Sequence, residues 1–225
     1  MKDIYTKVKQ IFKQNWIWIV CLIALICFVG IAEDVYEQEL MKSDTLAYSI
    51  IVENLRNDTL TNIMKFITNL GGTYILIGIT IILLIVVKKK KIGIAVLSNL
   101  VFISGFNLVI KNIVQRPRPE GYRLISESGY SFPSGHSMIS TAFYGFLIYL
   151  IYKNVENKYI KYTLCIVLTI LIPLIAVSRV YLGVHYASDV IAGFLLSISY
   201  LICFAKIYNS IKIKNENQKQ TEKEV

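Results

Sequence analysis

Apolar runs separated by short polar breaks organise this chain, and they recur too often and too long for a soluble core. Six stand out, at about 16–32, 73–87, 92–110, 138–152, 162–176 and 187–206. Trp16 and Trp18 open the first, as interfacial anchors of a retained helix would. Lysines ahead of an apolar run also begin a signal peptide, but no small-residue cleavage site follows and Glu33-Asp34 comes directly after. Between the first and second runs, Leu60, Ile63, Met64, Ile67 and Leu70 recur at helical spacing. This amphipathic stretch either lies along the membrane surface or packs on other helices. Gly71-Gly72 ends it. Asn99 and Asn107 lie within the third run, where their amides should face other helices, and Pro173 should kink the fifth.

The pattern predicts an all-α polytopic membrane protein with six transmembrane helices. The acidic segment 33–69 is its amphipathic extracytoplasmic element between the first and second spans. Residues 1–208 form one domain, and 209–225 form a polar cytoplasmic tail expected to be disordered. An even number of spans puts both termini on one side. Lysines gather near the N-terminus, at Lys88–Lys91, at Lys153–Lys161 and in the tail, all on that side, which makes it cytoplasmic in a plasma membrane. Lys111, Arg116, Arg118, Arg123 and Arg179 are basic yet fall outside, and an anionic ligand would account for them.

Composition supports the membrane reading: 55% of residues are hydrophobic and 17% charged, with a mean hydropathy of +0.54. The formal charge of +9 does not point to nucleic acid, because most lysines flank apolar segments where they orient a membrane protein. Cys21, Cys27, Cys165 and Cys203 sit inside apolar runs with no paired spacing, which speaks against a zinc site or a disulfide framework.

Three polar stretches interrupt the scaffold. Lys111 and Arg118 are seven apart, and Pro117 and Pro119 should bend the chain so that the two cations converge on an anion. Pro133-Ser134-Gly135-His136 is a turn entering a helix, where Gly135 admits close approach and the first amides favour negative charge. Ser134 can donate a hydrogen bond, and His136 a proton. His185 and Asp189 are four apart, so the carboxylate can hold and polarise the ring, and Arg179 precedes them. A neutral imidazole is a good nucleophile towards phosphorus. Each stretch alone has a bland counterpart: cations snorkelling to headgroups, a connector turn, a capping ion pair. Their shared side of the predicted topology argues for a joint function.

Lys-x6-Arg-Pro (Lys111 to Pro119), Pro-Ser-Gly-His (Pro133 to His136) and Ser-Arg-x5-His-x3-Asp (Ser178 to Asp189) together resemble the three-part signature of the type 2 phosphatidic acid phosphatase (PAP2) superfamily. The resemblance covers about Gly72 to Lys206 and implies roles. His185 would attack phosphorus to give a phosphohistidine, with Asp189 orienting it. His136 would protonate the departing oxygen, while Lys111, Arg118, Arg179, Ser134 and Gly135 would hold the phosphoryl oxygens. No cofactor or metal is implied. The substrate would be a lipid phosphate of the phosphatidylglycerophosphate, phosphatidic acid or undecaprenyl pyrophosphate type, with segment 33–69 favouring the first. Two rivals share the residues: a lipid phosphotransferase using the same site, and a non-enzymatic lipid or anion transporter. The second has no need of both histidines. Soluble vanadate-binding haloperoxidases of the superfamily are excluded by the apolar spans.

Overall fold

A computed structural model describes residues 2–37 and 41–224, with side chains described from residue 15 onward except at 38–40, 212 and 214–224. The described elements are helices: α1 (Lys2–Tyr36), α2 (Lys42–Ala47), α3 (Asp58–Leu70), α4 (Thr73–Val86), α5 (Lys90–Val114), α6 (Gly135–Asn154), α7 (Lys158–Tyr181) and α8 (Ala187–Glu224), with a π-helical stretch at Tyr48–Glu53. Among the described residues there is no strand. Part of the acidic segment, residues 38–40, lies outside the described residues.

The centre of the bundle is α6, which packs on α5, α7 and α8, while α1 lies against α8 and α3 against α7. Met138, Ala142, Phe143 and Phe146 of α6 are fully enclosed. Ser137, Ser140 and Thr141 are buried there as well. The outer helices turn Leu22, Ile26, Ile82, Phe102 and Ile166 outward. Apolar outside with polar groups inside is the distribution a bilayer solvent selects.

Among the described residues, four helical stretches are long and apolar enough to cross a membrane: Asn15–Tyr36, Lys90–Val114, Lys158–Tyr181 and Ala187–Ile211. α4 has 14 residues, a rise of about 21 Å, short of the roughly 30 Å hydrocarbon core. It qualifies only together with α3, to which it is joined at a 45° bend. Gly71 and Gly72 form that joint, each giving its amide to the end of α3 (Gly71 N to Thr68 O, 3.0 Å; Gly72 N to Asn69 O, 2.9 Å). The stripe on α3 packs inward: Leu60 and Met64 meet Tyr181, Leu182 and Val184, and Ile67 and Leu70 meet the main core. Of the two sequence readings of this stripe, the contacts therefore favour helix packing, with Ile63 left exposed.

Local signals set the helix starts. Asn57 accepts from Leu60 N at 2.9 Å to cap α3, and Asn157 accepts from Ile160 N at 3.2 Å to cap α7. Lys90 Nζ donates to Leu84 O (2.9 Å) and Ile85 O (3.3 Å), closing the end of α4. Asn107 donates to Pro133 O just ahead of α6 and to Met138 Sδ within it, both at 3.3 Å, as expected of an amide facing another helix. Asn99 is buried as well, but its side-chain amide finds no hydrogen-bond partner among the described residues. α8 runs unbroken to Glu224, through the stretch where the sequence suggested disorder. Its Lys, Glu and Gln residues are good helix formers, so a helix already nucleated in the bundle can propagate into them.

Candidate active site

The three polar stretches meet at one end of the bundle, at the end of α5, the start of α6, and the α7–α8 junction. α5 stops where Gln115 adopts a left-handed conformation (φ 52°) and returns its amide to Lys111 O at 3.0 Å. Pro117 and Pro119 keep the chain beyond Gln115 extended, so it crosses the α7–α8 junction instead of continuing the helix. Ser131 N to Arg116 O (2.8 Å) and Leu124 N to Leu182 O (2.9 Å) fix that crossing. Arg56 ties it from the other side, donating to Tyr181 O (Nε, 2.9 Å) and Tyr122 O (Nη1, 2.9 Å).

His185 stands in the α7–α8 turn, made possible by Gly183 at φ +72°. Its Nδ1 lies 3.3 Å from Asp189 Oδ2 and 3.3 Å from Ser131 Oγ. Its Nε2 lies 3.1 Å from Arg118 Nη1. A guanidinium only donates, so Nε2 carries the lone pair and Nδ1 the proton. Burial pushes the His185 pKa down to about 4, against the opposing pull of the Asp189 hydrogen bond and charge and with the help of Arg179 and Arg118. The ring is therefore neutral at neutral pH.

Asp189 is fully buried. Besides His185, it accepts from Tyr186 N (2.9 Å), from the Ser131 hydroxyl and from Arg116 Nη1 (2.7 Å). Arg118 also donates to Val184 O (2.9 Å), Gly129 O (3.0 Å) and Ser128 O (3.0 Å). Arg179, in the last turn of α7, is enclosed: Nη1 reaches Thr68 Oγ1 (2.8 Å) and Nη2 reaches Glu127 Oε1 (2.5 Å). Its Nε is buried with no hydrogen-bond partner among the described residues. Burial would raise the Glu127 pKa, but the charge and hydrogen bond of Arg179 outweigh it and hold the carboxyl below its usual range. Lys111 Nζ donates to Tyr130 O (2.5 Å) and Ser131 O (3.3 Å).

Ser134 caps α6, its hydroxyl accepting from Ser137 N at 3.4 Å, and its own amide donates to Asp189 O at 3.0 Å. A side chain on Gly135 would sit 3.1 Å from Asn107 Oδ1 and 3.9 Å from Lys111 Cε, so glycine there brings α6 close to the lysine. His136 feels the charges of Arg179, Glu127, His185 and Arg118. The ring of His136 borders the α3–α4 break, 3.4 Å from where a Gly71 side chain would begin. Thus Lys111, Arg118, Ser134, Gly135, His136, Arg179, His185 and Asp189 all gather in one place, with both imidazoles at the same end.

Other groups were not legible as site residues. Ser131 bridges His185 and Asp189, and Glu127 joins Arg179 to Arg118, 3.9 Å from the latter. Asp44 and Ser188 hold Arg116. Arg116 had a faint signal, as an unexplained basic residue on the outer side; the others had none. A cavity of about 160 Å³, bordered by Asp44, Tyr48, Pro119, Tyr122 and Tyr186, reaches His185.

Such a bundle, with cations and a buried neutral imidazole gathered at one end, defines an integral membrane protein built to handle an anionic group. The PAP2 superfamily profile matches residues 91–212. Phosphatidylglycerophosphatase B of Bacillus subtilis is 34% identical over 174 residues, covering 73% of this chain and 82% of that protein. Undecaprenyl-diphosphatase of Sulfolobus acidocaldarius is 30% identical over 202 residues, covering 84% and 90%. The crystal structure of the transmembrane PAP2-type phosphatidylglycerolphosphate phosphatase of B. subtilis superposes with a TM-score of 0.76 at 26% identity, over 85% of this chain and 96% of that one. The chain belongs to the PAP2 superfamily, among its lipid phosphatases, which are phosphoric-ester hydrolases.

Proposed function

We propose that this protein is a metal-independent membrane phosphatase that removes a phosphate from a lipid monoester or pyrophosphate through a phosphohistidine at His185. The observation that carries this reading is the placement of the His185 ring, with Nδ1 on Asp189 and Nε2 presented to a guanidinium. That tautomer leaves a nucleophilic lone pair facing the cations that would hold a phosphoryl group.

Arg118 Nη1 lies against the Nε2 lone pair. A phosphate would draw the guanidinium onto its oxygens and free Nε2 to form the N–P bond. Arg179 Nε, buried and unpartnered, supplies a second donor with nowhere else to go, and Lys111 a third charge. The negative charge of the bound phosphate favours a protonated His136, and as the P–O bond breaks that ring gives its proton to the leaving oxygen. Water then attacks phosphorus, His136 takes the water's proton, and the P–N bond breaks to return neutral His185 and inorganic phosphate. Among the described residues no cluster of three His, Cys, Asp or Glu side chains is placed to hold a metal.

In this reading residues 1–208 form six spans, counting α3 with α4 as one and α6 as another. Both termini are cytoplasmic and the site is extracytoplasmic. α6 is underrated by hydropathy because its polar residues face the bundle interior. The site lies at the bundle end, where an acyl or prenyl chain can stay in hydrocarbon while its headgroup reaches the cations. The substrate is of the phosphatidylglycerophosphate type, as with the B. subtilis relative, and phosphatidic acid and undecaprenyl pyrophosphate are the alternatives. The test is phosphate release by purified protein from a panel of these lipids, beside His185→Ala. Turnover should vanish in the variant; near-wild-type release by it would refute the role of His185.

A further inference from the structure

Arg116 is not needed to touch a phosphate, yet it is as deeply buried as Arg118, at 9% exposure. Its fork is split between two carboxylates. Nη1 donates to Asp189 Oδ1 at 2.7 Å and Nη2 to Asp44 Oδ2 at 2.9 Å. The guanidinium also lies over the Tyr186 ring, 4.1 Å from its centroid. Asp44 comes from the short helix α2, far from the three polar stretches in sequence, and is itself buried. Its Oδ1 accepts from Ser188 N (2.7 Å) and its Oδ2 from Ser188 Oγ (2.7 Å). Ser188 Oγ in turn accepts from Arg116 Nη1 at 2.7 Å.

We propose that Asp44 and Arg116 are positioning residues that set the charge presented to His185. Asp44 draws part of the guanidinium away from Asp189, so that Asp189 keeps enough uncompensated charge to hold the His185 ring and stabilise it once Nε2 is bonded to phosphorus. A guanidinium free to pair with Asp189 alone would form a bidentate fork and cancel that charge. Removing the guanidinium would leave two buried carboxylates behind the ring, uncompensated. The α2 segment, which also walls the cavity beside His185, is thereby joined to the nucleophile through three ionised groups.

The signs are opposite for the two partners, and this separates the proposal from a merely structural role. His185 is contacted by Asp189 of α8 and by Arg118 and Ser131 of the crossing segment; it feels Arg179 of α7 and His136 of α6, and Asp44 of α2, Tyr122 and Tyr186 border the same cavity. Arg116, Glu127 and Lys111 stand one partner further out, on Asp189, Arg179 and Ser131. Among these charges, Asp44→Asn removes a negative one, so protonated His185 becomes harder to form and the acid limb of kcat/KM moves to lower pH. Arg116→Gln removes a positive one, and the limb moves to higher pH. Each shift should be roughly half a unit to one unit. Both variants should lose kcat more than KM. Asp44→Glu, which keeps the charge, should recover the wild-type limb.

The inference rests on His185 being the nucleophile, and the experiment keeps the two apart. Acid limbs are recorded on a water-soluble lipid phosphate for the detergent-purified wild type, His185→Ala, Asp44→Asn, Asp44→Glu and Arg116→Gln. If His185→Ala keeps its turnover, the nucleophile reading fails whatever the other variants do. If His185→Ala is dead but the Asp44 and Arg116 variants leave the limb in place, or move it in the same direction, the positioning role alone fails. Should Asp44→Asn yield no folded protein, it is compared within the Arg116→Gln background, where the same charge change must still lower the limb; a limb that stays put overturns the proposal.

Discussion

The break between α3 and α4 offers a direct test of His136, because a single methyl group can be placed against it. Gly71 has φ −92°, which alanine adopts freely, so Gly71→Ala carries no backbone penalty of its own. Its Cβ would lie 2.6 Å from Ile175 Cγ2, 2.6 Å from Ser140 Oγ and 3.4 Å from His136 Cδ2. Close-packed carbons sit near 3.5–4.0 Å, so neighbours must give about 1 Å. Overpacking of this kind costs roughly 1–3 kcal/mol. With α7 on the other side, the yielding element is the first two turns of α6, which carry His136 and Ser140 one turn apart on the face towards Gly71. If about 1.4 kcal/mol of the strain reaches the proton transfer, turnover falls about tenfold. The assay is kcat for a lipid phosphate and for an aryl phosphate whose leaving group departs without a proton. The lipid substrate should lose about tenfold and the aryl one much less, with KM little changed. Adding Ser140→Ala removes one of the two 2.6 Å contacts and should restore part of the loss. Equal loss on both substrates, or none on either, would refute the placement of His136 as acid beside this break.

Acid should destabilise the fold through His185. Its folded pKa is about 4 against about 6.5 unfolded, so the neutral ring contributes stability that is whole above about pH 6.5. That stability is lost as pH falls through about 4, up to about 3 kcal/mol in all. Thermal unfolding of wild type and His185→Asn between pH 7 and 4 should show a steeper decline for the wild type, and parallel curves would contradict the burial argument. Gly183→Ala meets both a positive φ and backbone, with Tyr122 O at 2.6 Å and Arg56 Nη2 at 2.9 Å. The cost should be about 2–4 kcal/mol from strain plus clash, read as a lowered unfolding temperature together with reduced turnover. An unchanged melting point would mean the crossing segment is not pinned there.

The apolar runs alone determine that this is an all-helical membrane bundle, because bilayer-length hydrophobicity is a local property of sequence. Both histidines, Asp189 and the cations set apart from the lysine clusters were legible for a related reason. Ionisable groups at the edge of apolar runs are costly enough to stand out, and their spacings persist in linear order. Other features had no such signal. The pairing of α3 with α4 into one bent element depends on what Gly71 packs against. The capping use of the Ser134 hydroxyl depends on the geometry of the α6 start. Asp44, Glu127 and Thr68 look like ordinary polar residues in connecting or surface-like stretches; they become partners of Arg116 and Arg179 only when distant helices close over them. Burial decides the outcome there, since an arginine taken out of water must find acceptors wherever the fold brings them. Only the three-dimensional arrangement shows which acceptors those are, and that Arg179 Nε finds none among the described residues.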